Sequence, residues 1–140
     1  MKKTHSPEVI EDLNRLMAEE LEAFLRYFQL RYRLRGADRL IADTFFDKAM
    51  EETIEHADAI AKHIRVLGKT PQIKINLNVD GGPVRLKEAL QEALAFEQQA
   101  LDAYKELLPR VEGNPGLEDF VRQQIATETE HVQEIAMLVE

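Results

Sequence analysis

The chain has 140 residues, 26 acids against 18 bases, a net charge of −8 and no cysteine. That length suits one ordinary domain over residues 1–140 with its own hydrophobic core. The lack of thiols excludes disulfides, Cys-held zinc, iron–sulfur clusters on Cys and thiol catalysis, which leaves His, Asp and Glu as strong metal ligands.

The acidic balance opposes nucleic-acid binding and attracts cations. MKKTHSPEV has no apolar run after its lysines, and no segment approaches ~18 uninterrupted apolar residues. Neither a secretory signal nor a membrane span is expected, and a cytoplasmic protein is.

Pro7, Gly36, Gly68, Pro71, Gly81-Gly82-Pro83 and Gly113-Asn114-Pro115-Gly116 punctuate the sequence into four predicted helices. The first covers about 7–35, with Ser6 as cap, Pro7 and Glu8 in the first turn, and Gly36 as its stop. Leu13, Leu16, Met17, Glu20, Phe24, Tyr27 and Leu34 form its inward stripe. The second covers about 37–67 and turns Phe45 or Phe46, Ala49, Thr53, His56, Ile60, Ile64 and Leu67 inward, with Gly68 as its end.

Residues 69–83 then form a 15-residue connection. Extended at ~3.3 Å per residue it reaches ~50 Å, enough to travel the ~42 Å of a helix of about 28 residues. Ile73, Ile75, Leu77 and Val79 alternate with Lys74, Asn76 and Asn78, a period of two that predicts an extended strand lying on the bundle.

The third helix covers about 84–111, with Leu86, Leu90, Ala93, Glu97, Ala100, Tyr104 and Leu107 inward. The fourth covers about 116–140, with Leu117, Val121, Gln124, Glu128, His131, Ile135 and Leu138 inward. Two short connections and one long crossover predict an all-α four-helix bundle in which the first and fourth helices run one way and the second and third the other.

Each apolar stripe is interrupted near its middle. Glu20, His56, Glu97, Glu128 and His131 come from four helices at similar depth, where an unpaired charge must neutralise or find a cation. Glu128-x-x-His131 puts a carboxylate and an imidazole on one helix face. Alone, each residue reads most often as a solvated helix position; together on four inward faces they predict a metal site held by N and O.

EDLNRLMAEELEAFLRYF, EHAD, ALAFEQQAL and TETEH, in that order, resemble the four metal-bearing segments of the ferritin-like family, and of bacterioferritins within it. The resemblance covers nearly the whole chain. It implies a carboxylate-bridged di-iron centre that oxidises Fe(II) with O2 or peroxide. Glu20 and Glu97 would be terminal carboxylates, Glu128 a bridge, and His56 and His131 terminal nitrogen ligands. Tyr27 resembles the family's site-adjacent tyrosine and reads otherwise as a core aromatic. Glu20, Glu128 and Tyr27 would carry the catalysis.

The pattern breaks on the second helix, where the family's Glu-x-x-His would need a glutamate at Thr53. A hydroxyl is a poor ligand for iron, so one charge and one bridge are missing. Glu52, about 40° around the helix from His56, would replace it if the backbone shifted or a π-bulge rotated it inward; Glu51 and Glu55 point to solvent. Ile54 stands where the family's haem-ligating methionine falls, and Met50 is one turn earlier, so haem is not predicted. The chain stops nine residues after His131 without the family's fifth helix, which favours a homodimer or small homo-oligomer over a cage.

Five arginines among residues 26–39 are expected at the end of the first helix and in surface or subunit contacts rather than on nucleic acid. The leading expectation is an iron-binding, Fe(II)-oxidising protein, with Mn or Zn also acceptable to this ligand set. Its alternative is a non-catalytic dimeric bundle that binds one metal ion or none. DNA protection, in the manner of the miniature ferritins, is disfavoured by the acidic charge and by metal residues placed within one bundle.

Overall fold

The computed structural model describes residues 7–140. It comprises α1 (Pro7–Arg33), α2 (Asp38–Val66), α3 (Leu86–Leu107) with a 3-10 turn Leu108–Val111 continuing it, and α4 (Pro115–Leu138). The expected Ser6 cap lies outside the described residues.

Each helix end has a local cause. Pro7 opens α1 where its missing N–H is not needed, Glu8 lies in the first turn, and Arg31 and Arg33 face the carbonyl end of the dipole. Gly36 and Gly68 adopt φ of +62° and +93° after α1 and α2, a left-handed conformation that Gly takes without a Cβ penalty. Asn114 caps α4 by accepting from the Leu117 amide at 3.2 Å.

α1 packs along α2 and α3 along α4, as short connections dictate. Residues 69–83 cross from one end of the bundle to the other beside α1. The amides of Gln72 and Asn76 donate to Asn14 Oδ1 and Glu22 Oε2, each at 2.9 Å, and Arg33 Nε donates to the Gly82 carbonyl at 2.8 Å. The anchor points advance along α1 as the crossover advances.

The crossover forms no strand among the described residues, contrary to its period-two pattern; its nearest approach is one isolated parallel bridge, Leu34 to Val84. Leu77 and Val79 are half-buried, whereas Ile73 and Ile75 are exposed. The crossover takes its hydrogen bonds from helix side chains, so no backbone ladder enforces the alternation.

The core falls into two apolar layers. One gathers Leu13, Leu16, Met17, Ile60, Ile64 and Leu107; the other gathers Tyr27, Leu30, Phe46, Leu90, Ala93 and Ile135. Of the alternatives Phe45 and Phe46, the second is fully buried. Phe24, Leu67, Leu86 and Ala100 are only half-buried, and Leu138, expected inward, is exposed because it is the last helical residue and Val139 packs on the core in its place. Burying a Leu, Ile or Phe side chain contributes roughly 1.5–3 kcal/mol, and these two layers support the polar one between them.

Candidate metal centre

Glu20 on α1, Glu97 on α3 and Glu128 on α4 are 3%, 6% and 2% exposed. Among the described residues no Lys or Arg pairs with them; their ionic neighbours are His56 on α2 and His131 on α4. His56 Nδ1 lies 3.4 Å from Glu20 Oε2 and 4.0 Å from Glu128 Oε1. His131 Nδ1 lies 3.3 Å from Glu128 Oε1 and 3.9 Å from Glu97 Oε1.

Two three-residue groups result, Glu20–His56–Glu128 and Glu97–Glu128–His131, each with ligand atoms within 4.8 Å of one another. Glu128 belongs to both. The structure thus brings together five of the six residues singled out as metal ligands.

Glu52 is the sixth, and its carboxylate joins neither group. α2 is regular α-helix through residue 52, with no bulge to rotate it inward. Its Oε1 instead lies 3.4 Å from His131 Nε2, on the ring nitrogen opposite the one that faces Glu97 and Glu128. Thr53 is buried, and its hydroxyl donates to the Met50 carbonyl at 2.9 Å, back along its own helix. It offers the cluster nothing.

Two tyrosines brace the carboxylates. Tyr27 donates a short hydrogen bond to Glu97 Oε2, and Tyr104 donates to Glu20 Oε2 at 2.7 Å. Gln124 Nε2 in turn donates to the Tyr104 hydroxyl at 3.3 Å. Tyr104 and Gln124 were expected only as inward positions. The signal that would have found Tyr104 is internal: Glu20 precedes Tyr27, and Glu97 precedes Tyr104, by the same seven residues.

Burial acts on each group of the site whose titration is shifted. It raises Glu128, and the neighbouring Glu97 carboxylate adds to the rise. Burial also acts to raise Glu97, but hydrogen bonds from His131, Glu128 and Tyr27 outweigh it and leave that group lowered. Glu128 and then Glu97 push the His131 imidazolium up to about 11. For His56, burial acts against the charge, yet Glu20 leaves it raised. Burial, then the carboxylates, hold both tyrosines well above their ordinary range, so they are neutral donors.

The donor set fits a pair of divalent transition-metal ions. Three carboxylates without a fixed cation and two imidazoles are hard and intermediate ligands suited to iron, manganese or zinc. The buried Nδ1 of His56 has no hydrogen-bond partner, as expected of an atom whose partner is a metal. A cavity of about 80 Å³ beside the second group, lined by Tyr27, Phe45, Ala49, Glu52, Glu97 and His131, reaches the cluster from the side.

A bundle with one long crossover and a buried Glu–His cluster drawn from all four helices defines a class of helical proteins with a metal centre in the core. Residues 10–140 match the ferritin-like domain family, and the chain belongs to it. A ferritin-like, diiron-carboxylate protein from Bacillus anthracis str. Ames is 28% identical, with 95% of this chain and 96% of that one covered and a TM-score of 0.81. The DPS protein of Vibrio cholerae O1 is 14% identical over 99% of this chain and 92% of its own, with a TM-score of 0.88. Dps from Staphylococcus aureus is also 14% identical, over 96% and 97%, with a TM-score of 0.87. The two Dps proteins, at that identity, share the fold. None of the curated proteins matches the sequence.

Proposed function

We propose that the protein binds two Fe(II) ions within its bundle and oxidises them with O2 or peroxide. The observation that carries the reading is the double membership of Glu128, one carboxylate within reach of two separate ligand pairs. The 28% identity to a diiron-carboxylate protein favours iron over manganese or zinc.

In this reading Glu20 and His56 would hold one ion and Glu97 and His131 the other, with Glu128 within reach of both pairs. The carboxylates neutralise the ions and favour Fe(III) over Fe(II). Each Fe(II) would give up one electron, and a pair would supply the two that, with two protons, reduce H2O2 to two waters or O2 to H2O2. Tyr27 and Tyr104 fix the carboxylate rotamers from outside, and the lateral cavity admits the small oxidant.

Exposed Leu25, Phe28 and Tyr32 on α1, spaced by three and four, with Ile41 and Ile54 on α2, support assembly as a homodimer or higher homo-oligomer through these helices. No helix among the described residues is long and apolar enough to cross a membrane.

A second reading, a bundle that binds one metal ion or none, draws on Thr53, whose hydroxyl is turned away where a second bridging carboxylate would stand. Mixing Fe(II)-loaded protein with O2 or peroxide and following Fe(III) absorbance separates the two. Oxidation faster than in buffer, lost in Glu128→Ala, supports the first; a Glu128→Ala rate equal to wild type removes it.

A further inference from the structure

We infer that Glu52 is a positioning residue for His131: its carboxylate accepts the Nε2–H of that imidazole and so presents the Nδ1 lone pair to the ion shared with Glu97 and Glu128. The inference rests on the two-ion reading above.

A neutral imidazole carries one proton. If Nδ1 faces an ion, the proton sits on Nε2 and needs an acceptor. His131 Nδ1 faces the two buried carboxylates, at 3.3 Å and 3.9 Å. On the opposite edge, Phe45, Ala49 and Ile135 wall the small cavity and offer no side-chain acceptor. Glu134 and Lys48 also line it, but the carboxylate within pairing distance of Nε2 is that of Glu52, at 3.4 Å. Glu52 is about one-third exposed and His131 about one-fifth, so a small rotation of the Glu52 chain closes this distance to a hydrogen bond.

A carboxylate behind a ligating histidine fixes the ring's tautomer and orientation and raises its basicity. The sequence places a glutamate directly before Thr53, and the fold turns its carboxylate toward the histidine of the fourth helix.

The two histidines differ here. The ion pairs of His56, to Glu20 and Glu128, both run through Nδ1, whereas His131 is paired through both ring nitrogens. Loss of Glu52 therefore acts on one ion of the pair and leaves the other as an internal reference.

The test is a calorimetric Zn(II) titration of metal-free wild type, Glu52→Ala and Glu52→Gln, with ¹⁵N NMR of the histidine side chains in the Zn(II)-loaded proteins. Wild type is expected to bind two ions. Glu52→Ala still binds two, one of them about 10–100-fold more weakly, the usual loss when such an outer partner is removed. Glu52→Gln retains most of the affinity, because its amide oxygen still accepts from Nε2–H. An exchange-protected His131 Nε2–H signal is expected in wild type and Glu52→Gln and lost in Glu52→Ala. Wild type binding fewer than two ions removes the two-ion reading and this inference with it. Two ions in wild type with Glu52→Ala indistinguishable from it removes the inference alone. Glu52→Ala binding a single ion also overturns it, since Glu52 would then be a direct ligand.

Discussion

The Tyr104 hydroxyl donates to Glu20 at 2.7 Å while that of Tyr27 donates to Glu97, so each tyrosine braces the carboxylate seven residues before the other. Seven residues are about two helical turns, which keeps Glu and Tyr on one face. The crossed pairs tie α1 to α3 across the bundle at the level of the cluster. Tyr104→Phe leaves Glu20 Oε2 and the Gln124 amide each short of a partner. The metal-free variant should lose about 1–3 kcal/mol, read by urea denaturation against wild type. Denaturation midpoints that coincide would mean the bond contributes nothing net.

The three glutamates should not be equivalent. Glu20→Ala and Glu97→Ala each dismantle one group, so each should bind one Fe(II) or Zn(II) per chain, whereas Glu128→Ala dismantles both and should bind none. Equilibrium dialysis with metal analysis reads the stoichiometry. Retention of both ions in Glu128→Ala would show that Glu128 is not shared.

Thr53→Glu restores the absent carboxylate next to the cluster. Before metal is added it buries a fourth acid among Glu20, Glu97 and Glu128, so the apparent melting temperature should fall. With metal present the order should reverse, and the second ion should bind at least tenfold more tightly. A variant with unchanged affinity would mean that position 53 does not face the ions.

Metal binding should tighten as pH rises. The His131 imidazolium is held up to about 11, above its ordinary range, so its stabilisation of the metal-free fold is complete below about 6.5 and lost as pH rises through the folded value. An ion at Nδ1 must displace that proton, and the raised Glu128 also favours the protonated form in the metal-free state. Each displaced proton makes affinity rise about tenfold per pH unit. Calorimetry in buffers of different ionisation enthalpy, at about pH 6 and about pH 8, counts the protons released; no release would contradict this charge assignment.

The four helices, the crossover and the five-residue cluster were legible because each rests on periodicity or punctuation. Glu128 and His131 share a face by spacing alone, and Gly36 and Gly68 mark helix ends that only a left-handed residue allows. The path of residues 69–83 was legible but its conformation was not, since Asn14, Glu22 and Arg33 supply its hydrogen bonds from a helix far away in sequence. Glu52 was legible as the neighbour of a missing ligand, but its placement against His131 depends on how closely α2 and α4 approach, which no local pattern encodes. Tyr104 read as core because a hydroxyl on an apolar stripe does not announce its acceptor.

Anaerobic Fe(II) titration of the metal-free protein tests the central claim most directly. The shared Glu128 predicts two equivalents bound per chain despite Thr53. One equivalent or none would contradict the binuclear centre and leave a ferritin-like bundle holding a single ion or serving as a scaffold.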